Sequence, residues 1–172
     1  MPNGSSTPPE PLTPDSAPIP VNAPREGLPP LLNTTHDIAK AAESLSAGVG
    51  ILALDTERAS GFTYSQRAQL IQLRRRGAGT YLIDPTAFSH PQEDLAPLAS
   101  AINPLTWLLH AADQDLPCLR ELGLTPQYLT DTLLAGRLLG YKRCNLGHLT
   151  EEILGLHPVS YTHLRAHETS LH

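Results

Sequence analysis

The chain has 172 residues, a formal net charge of −5 and 40% hydrophobic residues, a balance compatible with one globular domain plus tails. The net acidity argues against a general polyanion binder, and no stretch approaches the roughly 20 apolar residues of a membrane-spanning helix. Cys118 and Cys144 have no partners at zinc-ligand spacing. Without a recognisable secretory signal, they predict reduced thiols in a cytoplasmic protein.

The N-terminal segment, residues 1–33, is predicted to be disordered. Ten of the 17 prolines fall within residues 1–30, among Ser, Thr, Asn and Gly. Such a segment buries too little apolar surface to offset the entropy lost on ordering. Ordered structure is expected from residue 34, where Thr35 or Asp37 can cap a helix with its apolar residues on one side.

Three strands with short connections follow, and they predict an antiparallel meander. They cover residues 51–57, 68–73 and 80–84, with a tight glycine turn at 77–79. Arg74-Arg75-Arg76 at the end of the second strand forms a local basic cluster. The cluster is either a polyanion contact or a solvated strand end, and the second reading is the commoner one for a charge run.

The second half of the chain alternates between helices and strands. Helices are predicted over residues 92–102, 113–122, 131–139 and 145–154, and strands over 105–110 and 128–130. A β-β-β-α-β-α-(β)-α order is typical of an α/β fold in which flanking helices pack on a mixed sheet.

The most informative pattern is the pair of acids that ends the first strand, Asp55 and Glu57. Side chains alternate along a strand, so these two carboxylates point to one face and Thr56 to the other. Paired carboxylates repel each other, and a divalent cation such as Mg²⁺ or Mn²⁺ is the usual reason to keep them together. A solvated acidic turn is the alternative.

Two further acids begin later helices, Asp115 and Asp131. A helix laid over the sheet can bring Asp115 against the strand pair. Two metal ions bridged by a shared aspartate activate a water and stabilise the leaving oxygen of a phosphodiester. That mechanism needs acids from separate segments, which this spacing supplies.

The chain resembles the ribonuclease D group of 3′-5′ exonucleases, within the DEDD superfamily of ribonuclease H-like fold. The resemblance covers residues 34–157. Its motifs stand in the family's order: Ala53-Leu54-Asp55-Thr56-Glu57, Leu70-Ile71-Gln72-Leu73, Leu82-Ile83-Asp84-Pro85, His110-Ala111-Ala112-Asp113-Gln114-Asp115-Leu116 and Thr130-Asp131-Thr132.

The resemblance implies a catalytic and metal-binding set made of Asp55, Glu57 and Asp115. Asp55 and Glu57 would hold the metal that carries the attacking water, and Asp55 and Asp115 would hold the second. The cofactors would be two divalent cations, Mg²⁺ or Mn²⁺. The substrate would be the single-stranded 3′ end of RNA, such as a transfer RNA precursor, or DNA.

Other residues near this site have two readings each. Gln72 and His110 are expected to face substrate, although a strand glutamine is more often solvated and a histidine at a strand end is more often a satisfied structural residue. Asp113 could compete with Asp115 for the metal, but a helix N-cap is the preferred reading. Asp131 is also expected to be an N-cap.

The family's third motif, Tyr-x-x-x-Asp, is absent from this sequence. The last tyrosine is Tyr161, and the residue four positions later is Arg165. Residues 159–169 match the translation of a transposase adapter used in sequencing libraries, so residues 158–172 are expected to be a non-native tail. The alternative for this tail, a metal pair of His163 and His167, is disfavoured by that match.

Residues 34–157 are accordingly expected to form a partial exonuclease domain that lacks the final motif-bearing helix and is inactive as a fragment. Two alternatives remain. One is a non-catalytic nucleic-acid-binding or scaffold domain with a degenerate site. The other is an α/β domain with unrelated acidic turns. The sequence leaves the oligomeric state open.

Overall fold

The computed structural model describes residues 17–21, 26–58 and 67–158. The predictions for residues 1–16, for residues 22–25 and for the tail after Pro158 lie outside this part of the chain. Two compact units are present: Arg25–Lys142, and a smaller unit made of Met1–Pro24 with Arg143–His172.

The described residues form eight strands, six α-helices and one 3₁₀ turn. In chain order they are β1 (Ile19–Val21), β2 (Leu31–Leu32), α1 (Thr35–Ala47), β3 (Val49–Arg58), β4 (Ala68–Arg76), β5 (Gly79–Ile83), the 3₁₀ turn (Pro85–Ala87), α2 (Pro91–Asp94), α3 (Ala96–Ile102), β6 (Thr106–Leu109), α4 (Ala112–Glu121), β7 (Tyr128–Asp131), α5 (Thr132–Leu138), α6 (Leu146–Leu154) and β8 (Leu156–Pro158). No helix in these ranges is both long and apolar enough to cross a lipid bilayer.

The larger unit is built on a six-stranded mixed sheet with the order β2-β5-β4-β3-β6-β7. Strands β3, β4 and β5 pair antiparallel, which confirms the predicted meander. Strands β6 and β7 extend the sheet in parallel on the other side of β3, and β2 pairs in parallel with β5. The predicted α/β fold with a mixed sheet and flanking helices is confirmed.

One face of this sheet carries the core. Leu52 and Leu54 of β3 are buried, whereas Ile51, directly before Leu52, is exposed. The buried residues of α1, α3 and α4 join Leu52 and Leu54 in a single apolar cluster. Each fully buried leucine contributes about 2 kcal/mol through burial of its apolar surface. The opposite face of β3, where side chains are exposed, remains open for chemistry.

In the smaller unit, β1 pairs in parallel with β8, directly after α6. The predicted helix over residues 145–154 is confirmed, and Asn145 caps it by accepting a hydrogen bond from the His148 N–H. Strands β1 and β2 both lie inside residues 1–33, so ordered backbone reaches further toward the N-terminus than residue 34.

Two local predictions are wrong in detail. The N-cap of α1 is Thr34, whose hydroxyl accepts from the Asp37 N–H, and neither Thr35 nor Asp37 has that role. The predicted helix over residues 92–102 is broken at Leu95 into α2 and α3. Pro97 causes the break, because a proline lacks the N–H that a continuous helix requires and fits only in a first turn.

The three consecutive arginines of β4 do not share one surface. Arg74 is exposed and pairs with Glu26, with both nitrogen–oxygen distances at 3.1–3.2 Å. Arg75 is only 9% exposed and donates to the carbonyl oxygens of Leu45 and Gly50, at 2.5 and 3.0 Å. Arg75 therefore caps the C-terminus of α1 from inside the fold and is neither solvated nor open to a polyanion.

Candidate active site

Asp55 and Glu57 lie at the C-terminal end of β3 on the face turned away from the core. Both are exposed, whereas Thr56 between them and Leu54 before Asp55 are buried. The alternation expected of a strand is therefore present, and the two carboxylates project from the same face. The paired residue opposite Asp55 on β4 is Gln72, whose Nε2 lies 3.4 Å from Asp55 Oδ2.

The electrostatics of Asp55 show that acids from separate segments meet here. Burial raises the pKa of Asp55, and the carboxylates of Asp115 and Glu57 raise it further. The backbone N–H of Thr56 and the charge of His110 act in the opposite direction without cancelling the rise. Asp55 is therefore the point at which the three predicted catalytic acids and His110 interact.

Asp115 reaches this site from the first turn of α4, and it is 6% exposed. The hydroxyl of Thr56 donates a hydrogen bond of 2.5 Å to Asp115 Oδ1. The Cys118 thiol lies 3.6 Å from the same hydroxyl and donates to the Asp115 carbonyl oxygen at 3.0 Å. Thr56 thus ties the helix-borne acid directly to the strand that carries the other two.

The sequence interpretation missed the roles of Thr56 and Cys118. The signal for Thr56 was present, because its position between the two acids turns it toward the core, where α4 packs. A hydroxyl that points inward at the end of a buried strand needs a partner, and a carboxylate on the covering helix can supply it.

His110 follows β6, and its Nδ1 lies 2.9 Å from the hydroxyl oxygen of Thr132. The Thr132 hydroxyl has one proton, which it donates to the Leu109 carbonyl at 3.1 Å. The Thr132 oxygen therefore accepts from His110 Nδ1–H, and the tautomer is assigned from this hydrogen-bond network. The ring of His110 is anchored at Nδ1, as the structural reading expects, and its role toward substrate stays a prediction.

Asp131 caps α5, as predicted, by accepting hydrogen bonds from the N–H groups of Leu133 and Leu134. Burial raises the pKa of Asp131, but hydrogen bonds from Ala112, Leu133, Ala111 and Leu134 to its carboxylate more than offset this, so the pKa lies below its ordinary value. The prediction that Asp113 caps α4 is wrong. The N-cap is Ala111, which has no side-chain cap, and Asp113 lies exposed in the first turn.

A cavity of about 510 Å³ lies beside Cys118 of α4, and none of the predicted site residues lines it. Its walls include Ala68, Phe88, His90, Cys118 and Glu121. Cys118 connects the cavity to the acids, since the same side chain contacts Thr56. The volume lies within the range of about 300–1,000 Å³ that is usual for small-molecule and cofactor sites.

The predicted ligand set suits a hard divalent cation, because three carboxylates offer oxygen ligands. Burial first, and then repulsion from the other two carboxylates, raises the pKa of Asp55. Within residues 17–21, 26–58 and 67–158, no three His, Cys, Asp or Glu side chains already stand in a metal-coordinating arrangement. The acids are close enough to interact electrostatically, but they do not form a closed set of ligands.

Several known proteins are similar to this chain. The 3′-5′ exonuclease family matches residues 32–169. DNA polymerase I of Aquifex aeolicus strain VF5 is 35% identical over 104 residues, which are 60% of this chain and 16% of the polymerase. The chain therefore spans a small part of that relative.

Two solved structures are also similar. A protein from Bifidobacterium adolescentis shares 41% identity with a TM-score of 0.79, over 84% of this chain and 35% of that chain. RNase D of Escherichia coli, described as an exoribonuclease involved in structured RNA processing, shares 30% identity with a TM-score of 0.65, over 79% of this chain and 36% of that chain. The expected ribonuclease H-like exonuclease fold is confirmed, and the chain spans about a third of each of these two structures.

Proposed function

This chain belongs to the 3′-5′ exonuclease family, with ribonuclease D-like relatives, and from that premise we propose that it hydrolyses phosphodiester bonds at the single-stranded 3′ end of RNA, including transfer RNA precursors. The observation that supports the proposal is the hydrogen bond from Thr56, the residue between Asp55 and Glu57 on β3, to Asp115 of α4. The similarity to an exoribonuclease favours RNA over DNA as the substrate.

The three acids would hold the two divalent metal ions that exonucleases of this family use. Asp55 and Glu57 would bind the ion nearest the attacking water, and Asp55 and Asp115 would bind the other, with Mg²⁺ or Mn²⁺ as the metal. When bound, such ions lower the pKa of a water molecule and stabilise the leaving oxygen of the phosphodiester.

The protein's own residues contribute orientation and substrate contacts. Thr56 fixes one oxygen of Asp115, which leaves the other oxygen for a ligand. Gln72 presents its amide beside Asp55, where it can donate to a phosphate or a ribose hydroxyl. His110, anchored through Nδ1, has its Nε2 available for a substrate contact.

The rate of this chain is expected to be low. It contains no Tyr-x-x-x-Asp sequence, which in the resembled family supplies a water-orienting tyrosine and a fourth acid. Groups that act as a unit lose most of their effect when one is missing, so activity should fall by orders of magnitude. If residues 158–172 were native, this absence would favour a second candidate function, a domain that binds nucleic acid without cleaving it.

The test combines metal binding with cleavage. Mn²⁺ affinity is measured by titration calorimetry, and 5′-labelled single-stranded RNA and DNA of the same sequence are incubated with excess protein and Mn²⁺. We expect Mn²⁺ binding and slow, chelator-sensitive shortening from the 3′ end, faster on RNA, and we expect Asp55→Asn to abolish both.

Asp113→Asn is the matched control, since it removes an equal charge at an exposed position of α4, the helix that carries Asp115. It should leave Mn²⁺ affinity and cleavage unchanged. Cleavage that persists in chelator would contradict the metal assignment. Retained RNA binding with Mn²⁺ bound and no shortening after prolonged incubation would favour the second candidate.

A further inference from the structure

The helix that carries Asp115 begins without a cap of its own. Its N-cap residue, Ala111, has φ 59° and ψ 55°, and its side chain cannot accept a hydrogen bond. Ala111 is the one non-glycine residue with positive φ among those described. An L-residue with a Cβ avoids this left-handed conformation unless its surroundings impose it.

Asp131, from a different strand, supplies the missing cap. Its Oδ2 accepts from the Ala112 N–H at 2.8 Å, and its Oδ1 accepts from the Ala111 N–H at 3.1 Å. The same Oδ1 accepts from Leu133 and Leu134 in α5, at 2.8 and 3.3 Å. One carboxylate therefore caps the N-termini of two helices, α4 and α5, where negative charge is favourable.

Thr132, the residue after Asp131, holds His110 at the same junction. Leu109 and Asp131 are paired across β6 and β7, so His110 and Thr132 follow at equivalent positions, and their side chains are hydrogen-bonded at 2.9 Å. His110 and Ala111, which connect β6 to α4, are thus held by Thr132 at the start of α5 and by Asp131 at the end of β7.

We propose that Asp131 is a positioning residue for the acidic site, which sets where the first turn of α4 lies and so where Asp115 stands relative to Asp55. Asp115 is located at two points, by Thr56 through its carboxylate and by Asp131 through the start of its helix. This inference rests on the proposed function, since it assigns Asp131 a role in metal binding beyond the stability of α5.

The isosteric variant Asp131→Asn separates the two roles. An asparagine keeps one acceptor oxygen, which is sufficient to cap α5 because Asn is as good an N-cap as Asp. Its amide group would replace the oxygen that accepts from Ala112, and a donor would then face a donor. The cap of α5 and the bond from the Ala111 N–H survive, and the bond from the Ala112 N–H at the start of α4 is lost.

The experiment measures Mn²⁺ affinity of the whole chain by calorimetry and amide hydrogen exchange of the metal-free protein, both well below the melting temperature. We expect Asp131→Asn to raise the Mn²⁺ dissociation constant at least tenfold, as loss of an outer-shell partner of a metal ligand does. Exchange should accelerate at Ala112 and Asp115, with Leu133 and Leu134 much less affected.

Two further variants make the result interpretable. Asp37→Asn, at the start of α1, removes an equal charge from a capped helix that carries no site residue, and it should leave Mn²⁺ affinity unchanged. Asp131→Ser caps α5 but is too short to reach α4, and it should reproduce the loss even if Asp131→Asn does not fold.

Wild-type Mn²⁺ affinity in a folded Asp131→Asn or Asp131→Ser variant would overturn the inference while leaving the proposed function intact. Absence of Mn²⁺ binding by the wild-type chain would overturn both. An equal loss in Asp37→Asn would also overturn it, since the effect would then come from charge alone.

Discussion

The hydroxyl of Thr56 offers the sharpest test of how the site is assembled. Thr56→Val keeps the shape of the side chain and removes only the donor to Asp115. Both residues are less than 10% exposed, at 8% and 6%. The lost bond is short, 2.5 Å, as expected when a hydroxyl donates to a carboxylate. Water has little access to replace it.

The magnitude follows from the burial and from the charge of the acceptor. Hydrogen bonds to charged groups contribute about 1.5–3 kcal/mol, and a buried acceptor left unpaired incurs its full desolvation cost. We therefore expect Thr56→Val to lower the free energy of unfolding of the metal-free protein by about 2 kcal/mol. For a domain of this size, the melting temperature should fall by roughly 5–10 °C.

Calorimetric melting with and without Mn²⁺ provides the assay. Mn²⁺ affinity should also fall because Asp115 is no longer oriented, so the loss of stability should be larger with Mn²⁺ than in chelator. Thr56→Ser, which restores the hydroxyl, should recover most of the affinity. Thr130→Val, on an exposed threonine of β7, should change neither quantity. Unchanged stability and affinity in Thr56→Val would refute the idea that this bond positions Asp115.

Three further predictions concern charge. Because the pKa of Asp55 is raised, this group favours the folded state below its unfolded pKa of about 3.9, and that contribution is lost as pH rises through the higher folded pKa. Asp55→Asn should therefore raise the melting temperature of the metal-free protein at pH 7. An unchanged or lower value would contradict a pKa of Asp55 that is raised by burial and by the carboxylates of Asp115 and Glu57. The pKa of Asp131 is lowered, so its contribution is present at neutral pH and lost as pH falls through the folded pKa; urea unfolding between pH 7 and pH 2 should show a shallower acid loss in Asp131→Asn than in the wild type. Arg75→Met should cost about 2 kcal/mol of stability in urea unfolding, because buried carbonyls lose a charged donor, whereas the exposed Arg76→Met should cost little.

The meander and the strand-borne acids could be predicted because their signals are local. Alternation along β3 places Asp55 and Glu57 on one face whatever the rest of the chain does. The glycine turn between β4 and β5 determines their antiparallel pairing. Asp131 could be identified as the cap of α5 because the N–H groups that donate to its carboxylate lie two and three residues away.

Features that depend on distant contacts could not be predicted in the same way. Asp113 was expected to cap α4 because it is the nearest acid, but Asp131 supplies that cap from 19 residues further along the chain. Arg75 looked like part of a solvated charge run, yet it is buried against the end of α1. The bond between Thr56 and Asp115 joins residues 59 positions apart, and no spacing rule predicts it.

The central claim is that the carboxylates of Asp55, Glu57 and Asp115 bind divalent metal together. Anomalous diffraction from crystals of this chain grown with Mn²⁺ tests it most directly. We expect manganese peaks at ligand distance from Asp55 and Glu57, with Asp115 contacting a second ion directly or through a bound water. Ordered manganese elsewhere, with these three side chains free of metal at saturating Mn²⁺, would contradict it.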